Sequence, residues 1–238
     1  MTGGSLNGTG SINAGTNNLS LAVANGGINL ATSYGQVAGA KLTVTAQNMS
    51  SLNTGVDSVT ANIANPGDTL TIDEYNGLTI DPAGVKTSNG DLTITILAGG
   101  GIDGSGVLNA GTANMTLASA LGINLTSQLN QVVAHYLNAT SLQGDISANT
   151  SIDRLSADAT LGSVLVRDTG DLNITASDVV RAAPQGNVTI QLDGNLSIAG
   201  NITGADNGTV VLNSTAGNVT TTAADVFRSE EHTSELQS

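Results

Sequence analysis

Leu92-Thr-Ile-Thr-Ile96 alternates apolar and hydroxyl side chains, and comparable stretches return at Met115 and Leu137, spacings of 23 and 22 residues. Alternation at period 2 with β-branched residues is the pattern of a half-buried strand. It recurs in Leu19-Ser-Leu-Ala-Val23, Leu42-Thr-Val-Thr45, Leu70-Thr-Ile72, Leu172-Asn-Ile174, Val188-Thr-Ile-Gln-Leu192 and Val210-Val-Leu212. Between these segments lie Asn-Gly, Gly-Asn, Gly-Asp and Gly-Gly pairs, which supply positive φ at corners. Apolar residues never hold the i, i+3, i+4, i+7 spacing of a helix for long. The pattern predicts no helix, and Gln128–Tyr136 is the one stretch that admits a helical turn.

A second, longer repeat overlies the short one. Gly10-Ser-Ile-Asn-Ala-Gly-Thr-Asn-Asn-Leu-Ser-Leu21 matches Gly106-Val-Leu-Asn-Ala-Gly-Thr-Ala-Asn-Met-Thr-Leu117 at seven of twelve positions, an offset of 96. Asn53–Ala61 matches Asn149–Ala157 at the same offset, and Gly27-Ile-Asn-Leu30 matches Gly122-Ile-Asn-Leu125 at 95. Two copies, about 10–105 and 106–200, are expected, with a third begun near Thr209. Coils of about 20–23 residues with two or three short strands and Gly/Asn corners predict an all-β fold, a parallel β-solenoid. Such a coil cannot bury its apolar side alone, and stacking its neighbours builds one continuous core. The alternative is a tandem of antiparallel β-sandwich domains, whose usual length also fits the 96-residue offset. A sandwich generally carries a large core aromatic and strands of five or more residues, whereas the segments here run three to five. The spacing therefore favours the solenoid.

Composition agrees and excludes several classes. Among 238 residues only 11% are charged and four are aromatic: Tyr34, Tyr75, Tyr136 and Phe227. A narrow bore lined by Val, Ile, Leu and Ala has no room for larger rings, while outward Thr and Asn satisfy strand propensity without charge. The 39% hydrophobic content argues against disorder. Zero cysteine removes disulfides, thiolate metal sites and a cysteine nucleophile. A net charge of −13 repels nucleic acid and anionic membranes. No apolar run approaches the roughly 20 residues that span a bilayer.

The last eleven residues, Arg228-Ser-Glu-Glu-His-Thr-Ser-Glu-Leu-Gln-Ser238, break this composition and resemble the in-frame translation of a sequencing adapter. They are set aside as a non-native tail, leaving residues 1–227 as the solenoid region of a larger protein. Fifteen of the sixteen acids that remain are Asp, and Glu74 is the only glutamate. Asp suits turns, so most of the acidity is read as corner chemistry. Solenoids protect their ends with polar caps. Neither end shows one, so end-to-end self-association of the isolated fragment is expected.

Asn89-Gly-Asp-Leu-Thr-Ile94, Gly170-Asp-Leu-Asn-Ile174, Gly194-Asn-Leu-Ser-Ile198 and Gly208-Thr-Val-Val-Leu212 with Gly217-Asn-Val219 resemble the repeats of large bacterial exoproteins of the filamentous-haemagglutinin type. Val56-Asp-Ser-Val-Thr-Ala61 followed by Gly77-Leu-Thr-Ile80 is similar to the long repeat of related giant surface proteins. The likeness covers most of residues 5–227. It implies a right-handed parallel β-helix in a secreted or outer-surface bacterial adhesin, a rod making adhesive or biofilm-type contacts. Host or microbial surface glycans or proteins would be its partners.

The alternative function is that of a polysaccharide-acting β-helix, a lyase or depolymerase, which needs carboxylates and a basic group clustered on one solvent face. Asp73-Glu74, Asp153-Arg154 and Arg167-Asp168 with Asp171 are the candidates. Across the long repeat Asp73 and Glu74 fall opposite Arg167 and Asp168, and Ser58 falls opposite Arg154. Charge changes while flanking apolar residues are kept, which predicts a solvated outer face for these residues. His135, the only histidine before the tail, aligns near Ala40 and is expected at a partly exposed corner. Gly99-Gly-Gly-Ile-Asp-Gly104 is similar to one turn of a calcium-binding nonapeptide, but a single turn reads as a tight corner. Thr43/Thr45, Thr69/Thr71 and Thr93/Thr95 could form a water-ordering array, although Asn138/Thr140 replaces the pair in the second copy. Asn-x-Ser/Thr sites such as Asn114 and Asn195 are expected from composition alone. No residue is assigned a catalytic, cofactor-binding or metal role, no cofactor is expected, and the chain is not read as an enzyme.

Overall fold

The computed structural model describes residues 4–205 and 208–222. Phe227 and the tail Arg228–Ser238 lie outside the described residues. Among the described residues there is no helix, and the strands stack in parallel as a β-solenoid, consistent with a right-handed parallel β-helix. Every registered strand pair is parallel, which removes the antiparallel sandwich. The chain forms two compact units, Met1–Ala120 and Leu121–Ser238.

In the first unit Leu30, Leu52, Ile72, Ile94 and Leu117 stand in register on successive strands. All five are buried. Leu125, Ala148, Val166, Ile190 and Leu212 form the matching column of the second unit. Alternation sends these residues inward and the Thr, Ser and Asn between them outward. Each buried Leu or Ile contributes roughly 1.5–3 kcal/mol relative to exposure, and the column spreads that stabilisation evenly along each unit.

The corners explain why Gly-Asp and Gly-Asn precede so many strands. Asp171 Oδ1 accepts the Asn195 N–H at 2.7 Å, and Asn195 Oδ1 accepts the Asn218 N–H at 3.1 Å. A second column repeats the device: Asp145 accepts from Ser163, Ser163 from Asn187, and Asn187 from Thr209. A short polar side chain thus satisfies the backbone amide of the next coil, where the ladder itself is interrupted. The preceding glycine is required by close approach. A Cβ on Gly194 would overlap the Gly170 carbonyl, and one on Gly217 would overlap the Gly194 carbonyl.

Gln128–Tyr136 contains no helical turn: it is a loop followed by the strand Val132–Ser141. One expectation changes. Several strands exceed three to five residues, with Ser50–Pro66 running for 17 and Ile146–Ala159 for 14. Their backbone stays extended around a corner. There Leu52, Asn53 and Thr54 are all buried, as are Ala148, Asn149 and Thr150, so the alternation that marks strand ends in sequence breaks inside one strand.

Candidate functional site

The inward face carries a polar step that recurs in both units. Val37, Thr54, Glu74 and Ile96 stand in register in the first. Val132, Thr150, Asp168 and Leu192 do so in the second. A carboxylate therefore sits between apolar rungs at equivalent places, 0% exposed at Glu74 and 4% at Asp168. This corrects the solvated outer face expected for both residues. Leu70-Thr-Ile-Asp-Glu74 and Val164-Leu-Val-Arg-Asp168 keep strict alternation, so Glu74 and Asp168 fall on the parity of the core residues.

Each carboxylate bonds the neighbouring corner. Thr54 Oγ1 donates to Glu74 Oε2 at 2.7 Å and the Val56 N–H to the same oxygen at 3.1 Å. Thr150 Oγ1 donates to Asp168 Oδ1 at 2.7 Å and the Ile152 N–H at 3.0 Å. The second oxygens differ. Glu74 Oε1 accepts the turn amides of Tyr75 at 2.9 Å and Asn76 at 3.2 Å. Asp168 Oδ2 is buried without a partner, and so is Asn149 Oδ1. Burial pushes the Glu74 carboxyl above its usual range against these four donors. For Asp168 burial raises the pKa to about 6, with Thr150 and Ile152 opposing and the charges of Asp193 and Asp153 adding to the rise. Neither carboxyl faces a space where a polymer could meet it, and what the arrangement does is satisfy corner amides.

Among the described residues the charged side chains form four ion pairs, and the acid of one of them, Asp178, is itself buried. In the first unit Lys41 Nζ lies 2.7 Å from Asp81 Oδ2, and this bond holds the Asp81 carboxyl below its usual range. In the second, Arg154 donates to Asp178 through Nε at 2.7 Å and Nη2 at 2.6 Å, and its guanidinium stacks 4.5 Å from the centre of the Tyr136 ring. Burial disfavours the Asp178 anion, but bonds from Arg154 and Thr175 outweigh it and lower the pKa. Lys41 is in register with Ser58, and Tyr136 with Arg154. The cation has thus moved one coil between the copies, and a tyrosine occupies the place it left. Arg181 pairs with Asp158, and Arg167 donates to Gln191 Oε1 at 3.2 Å.

His135 is exposed on a strand rather than at a corner, with Nδ1 2.8 Å from Asp153 Oδ2. Asp153 and Arg154 are adjacent yet engage different partners, and the inward Asp168 joins neither. Asp73, on the outward side of Leu70–Glu74, points away from Glu74. Asp171 caps a corner, as described. Within Gly99–Gly104, Ile102 is buried and Asp103 accepts from Thr79 Oγ1 at 2.8 Å. The threonine pairs divide between ladders: Thr43 is in register with Thr60, whereas Thr71 is in register with Thr93. No single array collects all three pairs. Among the described residues no group of three or more His, Asp or Glu is placed to hold a metal ion. No protein-family model, no curated protein and no solved structure matches the chain.

Proposed function

We propose that the chain is a structural and adhesive segment of a large secreted or surface-exposed bacterial protein, making adhesive or biofilm-type contacts through a repetitive polar face. The carrying observation is the outward column Ser51, Thr71, Thr93 and Thr116, four hydroxyl side chains in register on successive strands. Such a column offers many equivalent weak hydrogen-bonding positions rather than one pocket, and binding to it gains strength by multivalency. The likeness of the Gly-Asp-Leu-Thr-Ile strings to filamentous-haemagglutinin-type repeats supports the same reading, and their corner bonding gives the motif a structural reason.

The polysaccharide-cleaving alternative requires carboxylates on a common outward groove, and the inward aim of Glu74 and Asp168 removes two of its candidates. The test is retention of the 238-residue chain on immobilised polysaccharides and on bacterial cell surfaces, with new reducing ends assayed in parallel on pectin- and alginate-like polymers. Retention that grows with ligand density and yields no new ends is expected. Turnover of either polymer would replace this reading with the enzymatic one.

A further inference from the structure

Four aromatics serve the whole chain, yet two of them stand exposed on one corner of the first unit. Tyr34 is 73% exposed and Tyr75 54%. The Tyr75 N–H donates to the Thr54 carbonyl at 2.9 Å, which sets Tyr75 beside Gly55. A Cβ on Gly55 would lie 3.7 Å from Gly35 Cα, immediately after Tyr34. The two tyrosines therefore flank a glycine that has no side chain to separate them. Glu74 is in register with Ile96, so Leu97, 40% exposed, follows Tyr75 on the next coil. Neither tyrosine hydroxyl has a hydrogen-bond partner among the described residues.

The platform beneath is fixed. Gln36 is buried, its Oε1 accepts the Thr32 N–H and hydroxyl, and its Nε2 donates to the Gly8 and Gly10 carbonyls at 2.8 and 2.9 Å. Tyr34 thus sits at the tip of a pinned loop, which lowers the entropy lost when a ligand binds. The second unit keeps the loop without the rings. Gln131 is buried and accepts the Ser127 N–H as Gln36 accepts that of Thr32. Leu129 stands at the place of Tyr34, and Thr169 and Asp193 at those of Tyr75 and Leu97.

What binds such a corner is narrowed by three observations. The corner amides of Tyr75, Leu97 and Ala98 are already bonded to backbone carbonyls, so a peptide cannot add as a strand. The net charge of −13 opposes a polyanion. The exposed residues beside the tyrosines in the chain, Thr32 and Ser33 before Tyr34 and Asn76 after Tyr75, are uncharged. Exposed aromatic faces flanked in the chain by uncharged polar residues suit a ligand that is itself apolar on its face and hydroxylated at its rim. We infer that the Tyr34–Tyr75–Leu97 corner binds a neutral polysaccharide strand, its sugar rings stacked on the two tyrosines. This rests on the adhesive reading and names the partner class of one part of the surface.

The test uses the full chain with its tyrosine rings as reporters, which are three in number and free of tryptophan interference. Ring resonances are followed during titration with cellohexaose and laminarihexaose, with an oligogalacturonate as the anionic control. Saturable shifts of Tyr34 and Tyr75 with at least one neutral oligomer are expected, with Tyr136 unmoved and no response to the anion. Tyr34→Ala with Tyr75→Ala should weaken binding at least tenfold; both side chains are exposed, and unchanged circular dichroism confirms the fold. Absence of shifts with both neutral oligomers, or equal binding by the double variant, overturns the inference. Retention on polysaccharide surfaces that persists in either case leaves the wider adhesive reading standing.

Discussion

Glu74 in the first unit and Asp168 in the second occupy equivalent rungs, each accepting a threonine hydroxyl, of Thr54 and of Thr150, and capping a corner amide, of Val56 and of Ile152. They differ by one methylene, and that decides the fate of the second oxygen. The longer side chain reaches back to the turn amides of Tyr75 and Asn76, while the shorter one leaves Oδ2 buried and alone. The turns differ as well, because Gly170 adopts φ 155° at the place of Asn76. A buried polar group is tolerable when its bonds are made and costly when they are not. The same backbone solution thus stabilises one unit fully and the other at a residual cost.

Removing the carboxylates should expose this difference most strongly. Glu74→Ala orphans Thr54 and the Val56 N–H and leaves a cavity, so a loss of about 3 kcal/mol is expected. Asp168→Ala also relieves an unsatisfied oxygen, and its cost should be about 1 kcal/mol. Native-state hydrogen exchange at Val56 and Ile152, read for each unit separately, gives both values. Equal losses would break the comparison.

The pH response is expected next in size. The folded Asp168 pKa of about 6 lies above its ordinary 3.8, so the folded unit binds the proton more tightly. Its stabilising contribution is full below about pH 4 and is lost as pH rises through 6. Asp81 and Asp178 act with the opposite sign. Their pKa values are depressed, so their contributions hold at neutral pH and fall away in acid. Exchange protection at Ile152 should therefore rise from pH 7.5 to pH 5, a trend that Asp168→Asn abolishes.

Exchanging the two side chains sharpens the same point. Asp168→Glu supplies the missing methylene and should stabilise the second unit by about 1 kcal/mol at pH 7, whereas Glu74→Asp should cost the first a similar amount. Both are measurable by urea unfolding. Surface pairs lie at the bottom of the scale. Arg181→Ala should change stability by less than about 1 kcal/mol, since its bond to Asp158 is solvent-screened.

The coil spacing and alternation were legible because one inward column stays apolar throughout each unit, from Leu30 to Leu117 and from Leu125 to Leu212. The corner devices were half legible. Gly-Asp and Gly-Asn stood out as turns, but bonding between coils depends on which residue of the next coil arrives opposite. The inward carboxylates were misread although parity already placed Glu74 with Ile72 and Asp168 with Val166. Charge type outweighed register, and the threonines that make burial tolerable lie 20 and 18 residues away. The exposed tyrosine corner needed tertiary information, since Gly55 joins Tyr34 to Tyr75 only once the coils are stacked.

The most direct measurement is the titration of the Asp168 carboxyl carbon by NMR in the full chain, beside the same measurement on Asp168→Glu. An Asp168 midpoint near 6, moved downward in the glutamate variant as the second oxygen gains donors, is the predicted result. An Asp168 midpoint below 4 would contradict an inward, half-satisfied carboxylate and the paired-corner account with it.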